Sequence, residues 1–142
     1  YKVVIEKFAP IGFTEVSGLE SETGNIQYRV GDDPPRFRQI PGLTKYKEID
    51  LKKGIDTDGT LQKIRNAVVQ VDGPNFDDGV GEPDFRFNGF VYLMDKSRVI
   101  IHAWQWINGW GKQHVIDAFN AEAEAVAIET LHIIHEGVKQ IK

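Results

Sequence analysis

Apolar and polar residues alternate with a period of two over most of this chain, the pattern of strands that bury one face and wet the other. Tyr1 to Phe8 carries the β-branched run Val3, Val4 and Ile5 and stops at Pro10 and Gly12, which predicts a first strand. From Phe13 to Leu19, the residues Phe13, Glu15, Ser17 and Leu19 stand against Thr14, Val16 and Gly18; from Asn25 to Val30, Ile26, Tyr28 and Val30 share a face. Thr23-Gly24-Asn25 between these runs predicts the turn of a long hairpin. Gly31-Asp32-Asp33-Pro34-Pro35 must be irregular, because consecutive prolines remove two backbone donors, and the loop is expected to continue through Arg36-Phe37-Arg38-Gln39-Ile40 to Pro41-Gly42. Leu43 to Lys53 resumes the alternation, with Leu43, Ile49 and Leu51 opposite Thr44, Tyr46, Glu48, Asp50 and Lys52, and predicts a strand with one wet face.

The spacing then changes. Leu61, Ile64, Ala67 and Val68 recur at helical intervals, so Asp58 to Val68 predicts one short helix, capped by Asp58 or Thr60. Asp72 to Asp84 is rich in Gly, Pro and Asp, has no period and reads as the longest loop. Phe85 to Met94 and Arg98 to Ile107 are β-rich and flank Asp95-Lys96-Ser97, which predicts a second hairpin. Ala121 to Glu136 supports two readings. Its strong helix formers and following Gly137 favour a helix, whereas Ala125-Val126-Ala127-Ile128 with Leu131, Ile133 and Ile134 suits a strand buried on both faces.

Composition narrows the classes. A chain of 142 residues, 41% hydrophobic and 27% charged, is expected to fold as a single domain over 1–142. A net charge of -4 argues against phosphate-backbone binding, which needs clustered Lys and Arg. Arg36, Arg38, Lys45, Lys47, Lys52 and Lys53 form the one basic concentration, and Asp32, Asp33, Glu48 and Asp50 interrupt it, a mixture suited to charge complementarity between subunits. Without cysteine there is no disulfide or thiolate metal site. No run reaches the ~18 apolar residues of a membrane span, residues 1–30 show no basic-then-apolar export signal, and the start at Tyr1 leads us to expect native residues ahead of it. Membrane insertion is not expected.

The chemistry-bearing residues lead to no catalytic or cofactor assignment. Asp56-Thr57-Asp58-Gly59 looks like half a calcium loop, but that register puts Gly54 and Arg65 where the first and twelfth ligands belong. Asp77, Asp78, Glu82 and Asp84 read as a solvated acidic loop. His132 and His135, three apart, point to opposite faces of a strand and have no evident third ligand; with His102 and His114 they read as core or interface histidines. Ser17 lacks the preceding glycine of a nucleophile elbow. Trp104 and Trp106 share a strand face, where core or subunit packing explains them better than ligand stacking; Trp110 follows on the same run.

Several separated segments carry a resemblance. Gly12-Phe13 through Val16-Ser17-Gly18-Leu19 is followed by Ile26 to Gly31 with Tyr28, then by Pro41-Gly42 and Tyr46. Ile49-Asp50-Leu51-Lys52-Lys53-Gly54 comes next, and Ala127-Ile128-Glu129-Thr130-Leu131 with His135-Glu136-Gly137 closes the series. In this order they resemble the tail tube proteins of contractile phage tails and of phage-derived contractile injection systems. The resemblance implies a mainly-β fold, a sandwich or distorted barrel with one short helix. It also implies six copies joined sheet to sheet in a ring, and rings stacked into a hollow tube. It makes the 121–136 segment a strand and 71–84 an insertion longer than the family's usual link. It implies no enzyme activity and no cofactor. Implied partners are the chain itself, a tail sheath protein, baseplate and tail terminator proteins, and a tape measure protein or effector cargo in the lumen, with DNA passing through in a phage. The protein is then expected in a virion tail or injection particle, assembled in the bacterial host cytoplasm.

Open sheet edges support the same idea, since unpaired strand borders aggregate unless neighbours complete them. A closed ring barrel alternates residues between lumen and core, which makes Glu15, Ser17, Glu20 and Glu22 with Thr44, Tyr46, Glu48 and Asp50 the candidates for the channel wall. An acidic wall would repel DNA and let it slide. Asp32, Asp33, Arg36, Phe37, Arg38 and Gln39 are the candidates for contact between rings or subunits. The rival readings are a type VI secretion ring protein that carries effectors and a small β-rich ligand-binding module using His102, Trp104 and Trp106.

Overall fold

The structure, a computed structural model, describes residues 1–29, 31–32, 38–55, 57–69, 85–117 and 127–142. In chain order the elements are β1 (Lys2–Ile5), β2 (Ile11–Gly12), β3 (Glu15–Ser17), β4 (Ser21–Tyr28), β5 (Arg38–Tyr46) and β6 (Ile49–Gly54). They continue with α1 (Thr60–Val69), β7 (Phe87–Met94), β8 (Ile100–Ile116), β9 (Ile128–Ile134) and β10 (Gly137–Gln140). The fold is mainly β, antiparallel in every described pairing, with one helix.

The 17-residue β8 is the spine. Its first half pairs with β7 and β10, its second half with β9, and the main sheet runs β2-β1-β7-β8-β9-β6-β3. Asn108 takes a left-handed φ of 48°, and the register with β9 slips between Gly111 and Gln113, so the strand changes course where it changes partners. The two wings share one core: Val3, Ile5 and Val91 from one meet Ile49, Leu51, Leu131 and Ile133 from the other.

Trp106 lies at the centre, fully buried, with Phe87 edge-on at 6.4 Å. Its ring needs room that two glycines provide, since a Cβ at Gly89 or Gly109 would run into it. Trp104 packs half-buried against the same core, in keeping with the shared face expected of the two tryptophans. Leu61 and Ile64 bury one stripe of α1 against β8, with Ile64 and Arg65 beside Gly111.

The helix and the β7–β8 hairpin match expectation, although β8 extends to Ile116. Of the segment 121–136, residues Ile128–Ile134 form a strand, so cross-strand pairing with β6 and β8 overrides helix propensity there. The rest of that segment up to residue 126 lies outside the described residues, as do the expected loop insertion 71–84 and Asp33 to Phe37. β10 was not anticipated.

Four expectations are corrected. Thr23-Gly24-Asn25 is not a turn: it lies inside β4, and Gly24 marks a bulge where the register with β5 shifts. The 13–19 run pairs not with the 25–30 run but, through β3, with β6, and β4 pairs with β5. Ile40 to Gly42 is not loop but strand; Pro41 is tolerated because β5 has a free edge among the described strands. Leu43 to Lys53 is two strands, broken at Lys47-Glu48, so the parity shared by Leu43 and Ile49 does not carry them to one face: Ile49 is buried and Leu43 is 82% exposed.

Candidate assembly surface

β4 and β5 form a separate two-stranded sheet, and no other described strand pairs with either. Sequence explains the register. Ile26 faces Ile40, Gln27 faces Gln39 and Tyr28 faces Arg38. Two side-chain contacts fasten the pair, Thr23 Oγ1 to Thr44 Oγ1 at 2.9 Å and Asn25 Nδ2 donating to Gln39 Oε1 at 2.9 Å. At the bulge a Cβ on Gly42 would sit 3.0 Å from the Gly24 carbonyl oxygen, so the two glycines let the strands close in.

Every residue of the hairpin is exposed apart from a half-buried Gly42. Leu43 stands 82% and Ile26 52% exposed, with Ile40, Tyr28 and Tyr46 also open to solvent. Open grooves run along it, one lined by Glu20, Tyr46 and Lys47, another by Ile26, Gly42 and Leu43. An isolated two-stranded hairpin is marginal in water, and a bare apolar run with free edges invites pairing. Its base is tied down. Lys47 N–H donates to the Glu20 carbonyl at 3.4 Å, His135 Nε2 donates to the Lys47 carbonyl at 2.8 Å, and Tyr46 packs on the His135 ring at 5.8 Å.

The main sheet presents a second, polar surface opposite the core. Register sets two rows across β3, β6, β9 and β8: Glu15, Lys52, Thr130 and Val115 in one, Ser17, Asp50, His132 and Gln113 in the next. Glu15, Ser17 and Asp50, foreseen as sharing one wet surface, do come together. Glu20, Glu22, Thr44 and Tyr46 are instead on or beside the hairpin, and Glu48 sits in the hinge between the two. The acidic character expected of this surface is offset: Glu15 faces Lys52 at 3.7 Å, Glu20 faces Lys47 at 3.0 Å, Glu48 faces Lys112 at 3.1 Å, and Asp50 accepts from His132 Nδ1 at 2.5 Å. The Glu20 carboxylate, by hydrogen bond and then by charge, holds the Lys47 ammonium pKa above the usual lysine value.

On the core side the same strands carry a buried polar cluster that sequence reasoning missed. Lys53 Nζ lies 3.6 Å from Glu129 Oε1, His114 Nε2 lies 3.0 Å from Glu129 Oε2, and His114 Nδ1 lies 2.8 Å from Gln62 Oε1 on α1. The cluster fixes the helix to β6, β8 and β9 at once. The signal was Lys53, which continues the buried parity of Ile49 and Leu51 and so had to find a partner inside.

The remaining resemblance residues have structural positions. Gly18 takes φ 83° and lies so close to the Glu48 carbonyl that a Cβ would collide with it, so the position demands glycine twice over. Phe13 and Leu131 are core residues, and Val16 and Leu19 pack against the core. Gly54 pairs with Ile128 at the sheet's end, Glu136 Oε2 accepts from Asn108 Nδ2 at 2.7 Å beside the β8 bend, and Gly137 opens β10. Of the contact candidates, Arg38 and Gln39 lie on β5 and Asp32 in the turn before it; Asp33, Arg36 and Phe37 lie outside the described residues.

The model of the T4-like virus tail tube protein gp19 family matches residues 1–139. The chain belongs to that family. Its fold agrees with solved structures of the same kind. The sheath/tube terminator of the extracellular contractile injection system PVC in its extended state aligns at a TM-score of 0.77 and 20% identity, covering 99% of this chain and 92% of the other. The PVC sheath-tube complex aligns at 0.74 and 18% identity, covering 98% and 86%. Hcp1 from Flavobacterium johnsoniae aligns less well, at 0.60 and 11% identity over 99% and 93%. No curated protein sequence matches. As a tail tube protein, the chain belongs to the tail of a virion or of a related contractile particle, in a family whose role is structural.

Proposed function

We propose that this tail tube protein is an inner-tube subunit whose β4–β5 hairpin is completed by neighbouring copies, six to a ring, with rings stacked into a conduit. The carrying observation is the hairpin itself: a two-stranded sheet whose outer edges no other described strand pairs, with its large apolar side chains in solvent. Covering side chains such as Leu43, Ile26 and Ile40 is worth roughly 25 cal/mol per Å² of apolar surface removed from water, and edge pairing adds backbone hydrogen bonds. Contacts that close give a ring and contacts that do not close give a filament. Arg38, Gln39 and Asp32, with Asp33, Arg36 and Phe37, belong to this docking surface.

The polar rows through Glu15 and Asp50 serve as the channel wall in this reading, together with Glu20, Glu22, Thr44, Tyr46 and Glu48 where the hairpin extends it. The wall lets cargo slide through partly balanced charge rather than through a uniformly negative field, because Glu20, Glu15 and Glu48 are matched by Lys47, Lys52 and Lys112. DNA, a tape measure protein or an effector passes through. The outer surface meets the sheath, and the tube's ends meet baseplate and terminator, the settings in which the similar PVC and anti-feeding prophage structures were solved. Assembly occurs in the bacterial host cytoplasm.

Negative-stain microscopy with light scattering tests the reading. Rings or tubes that disappear in Leu43→Asp, with the circular dichroism spectrum unchanged, support it; a wild-type chain that stays monomeric at every concentration contradicts it.

A further inference from the structure

The hinge between the hairpin and the main sheet gathers three metal-ligating side chains that sequence spacing does not connect. Glu48, Asp50 and His132 each present one donor atom, and the three donors lie within 4.8 Å of one another. Backbone register fixes two of them: Asp50 on β6 stands directly opposite His132 on β9. Glu48 follows two residues after Tyr46, the last residue of β5, and leads into β6.

We propose that Glu48, Asp50 and His132 form a binding site for a first-row divalent cation such as Zn²⁺. His132 Nδ1 lies 2.5 Å from Asp50 Oδ1 and 3.8 Å from Glu48 Oε1. Ligand atoms about 2.0–2.2 Å from a tetrahedral cation stand about 3.3–3.6 Å apart, so modest side-chain rotation opens the space. An imidazole with two carboxylates suits zinc, cobalt or nickel better than magnesium or calcium, which prefer an all-oxygen shell.

Lys112 does not block the site. Its ammonium holds Glu48 Oε2 at 3.1 Å and leaves Oε1 facing His132, so the carboxylate divides its oxygens between the lysine and the cation. The two carboxylates, only one of which is held by an ammonium, place negative charge beside the imidazole, a favourable field for a dication. The cation takes Nδ1, and the imidazole N–H then stands on Nε2. A bound ion ties the hairpin's hinge to the central strands β6 and β9.

All three ligands come from one chain, so binding is independent of whether tubes form. The test is isothermal titration of Zn²⁺ at neutral pH, with Co²⁺ absorption to report ligand geometry and Mg²⁺ as the comparison ion. The expected result is one saturable Zn²⁺ per chain and negligible Mg²⁺ binding. Asp50→Asn, His132→Gln and Glu48→Gln should each weaken Zn²⁺ binding by about tenfold or more while keeping the native circular dichroism spectrum, and Glu15→Gln, an acid on the same sheet face outside the cluster, should leave it unchanged. No saturable Zn²⁺ binding, retention of wild-type affinity in any natively folded ligand variant, or an equal loss in Glu15→Gln would overturn the assignment.

Discussion

The main sheet and the β4–β5 hairpin obey the same alternation in sequence yet end in opposite situations. On β6, alternate residues Ile49, Leu51 and Lys53 are buried; on β4 no residue is buried at all. The main sheet is satisfied within the chain by two wings closing on Trp106, whereas the hairpin keeps Leu43, Ile26 and Ile40 in water. A period-two pattern therefore says that a strand has an apolar face, not that its own chain covers that face. In the proposed assembly, the strand left uncovered is the one that neighbouring copies complete.

The contrast breaks most severely at the core. Trp106→Ala should destabilise the fold by about 3–5 kcal/mol in chemical denaturation, through a cavity shared by both wings. Glu129→Ala comes next, at about 3 kcal/mol, because it strips the carboxylate that faces Lys53 and His114 in a buried setting and loosens the seat of α1. On the hairpin the order of effects inverts. Leu43→Asp should shift unfolding by no more than about 0.5 kcal/mol while abolishing tubes or rings in electron micrographs.

The smallest effect is electrostatic. Because the folded Lys47 pKa is raised, its contribution is fully present below the unfolded value near pH ~10.4 and is lost as pH rises through the higher folded value. Glu20→Gln should therefore lower the melting temperature slightly at neutral pH, and the difference should vanish in strong alkali. A difference that grew with pH would contradict the pairing.

Much of the fold was legible because it rests on local signals. The helix follows from the spacing of Leu61, Ile64 and Val68, and the β7–β8 hairpin from Asp95-Lys96-Ser97 between two β-rich runs. Pairing partners were less legible. Gly24 carries the same composition cue whether it turns the chain or marks a bulge, and the Gly-Asp-Asp-Pro-Pro segment, not Thr23-Gly24-Asn25, separates the paired strands β4 and β5. The segment Ile128–Ile134 became a strand through long-range pairing that propensity does not encode.

For the surfaces, register brings Glu15, Ser17 and Asp50, grouped in sequence as candidates for the channel wall, onto neighbouring strands. Alternation alone could not show that Glu15, Glu20 and Glu48 each meet a lysine, nor that His132 meets Asp50 across 82 residues of chain. Both depend on register, which is set by the whole sheet.

Hydrogen exchange of the β4 and β5 amides, compared between dispersed and assembled protein, tests the central claim most directly. Completion of the hairpin by neighbouring copies predicts rapid exchange along 21–28 and 38–46 in dispersed chains and strong protection in tubes, with β6, β8 and β9 protected in both. Equal hairpin protection in the two states would contradict it.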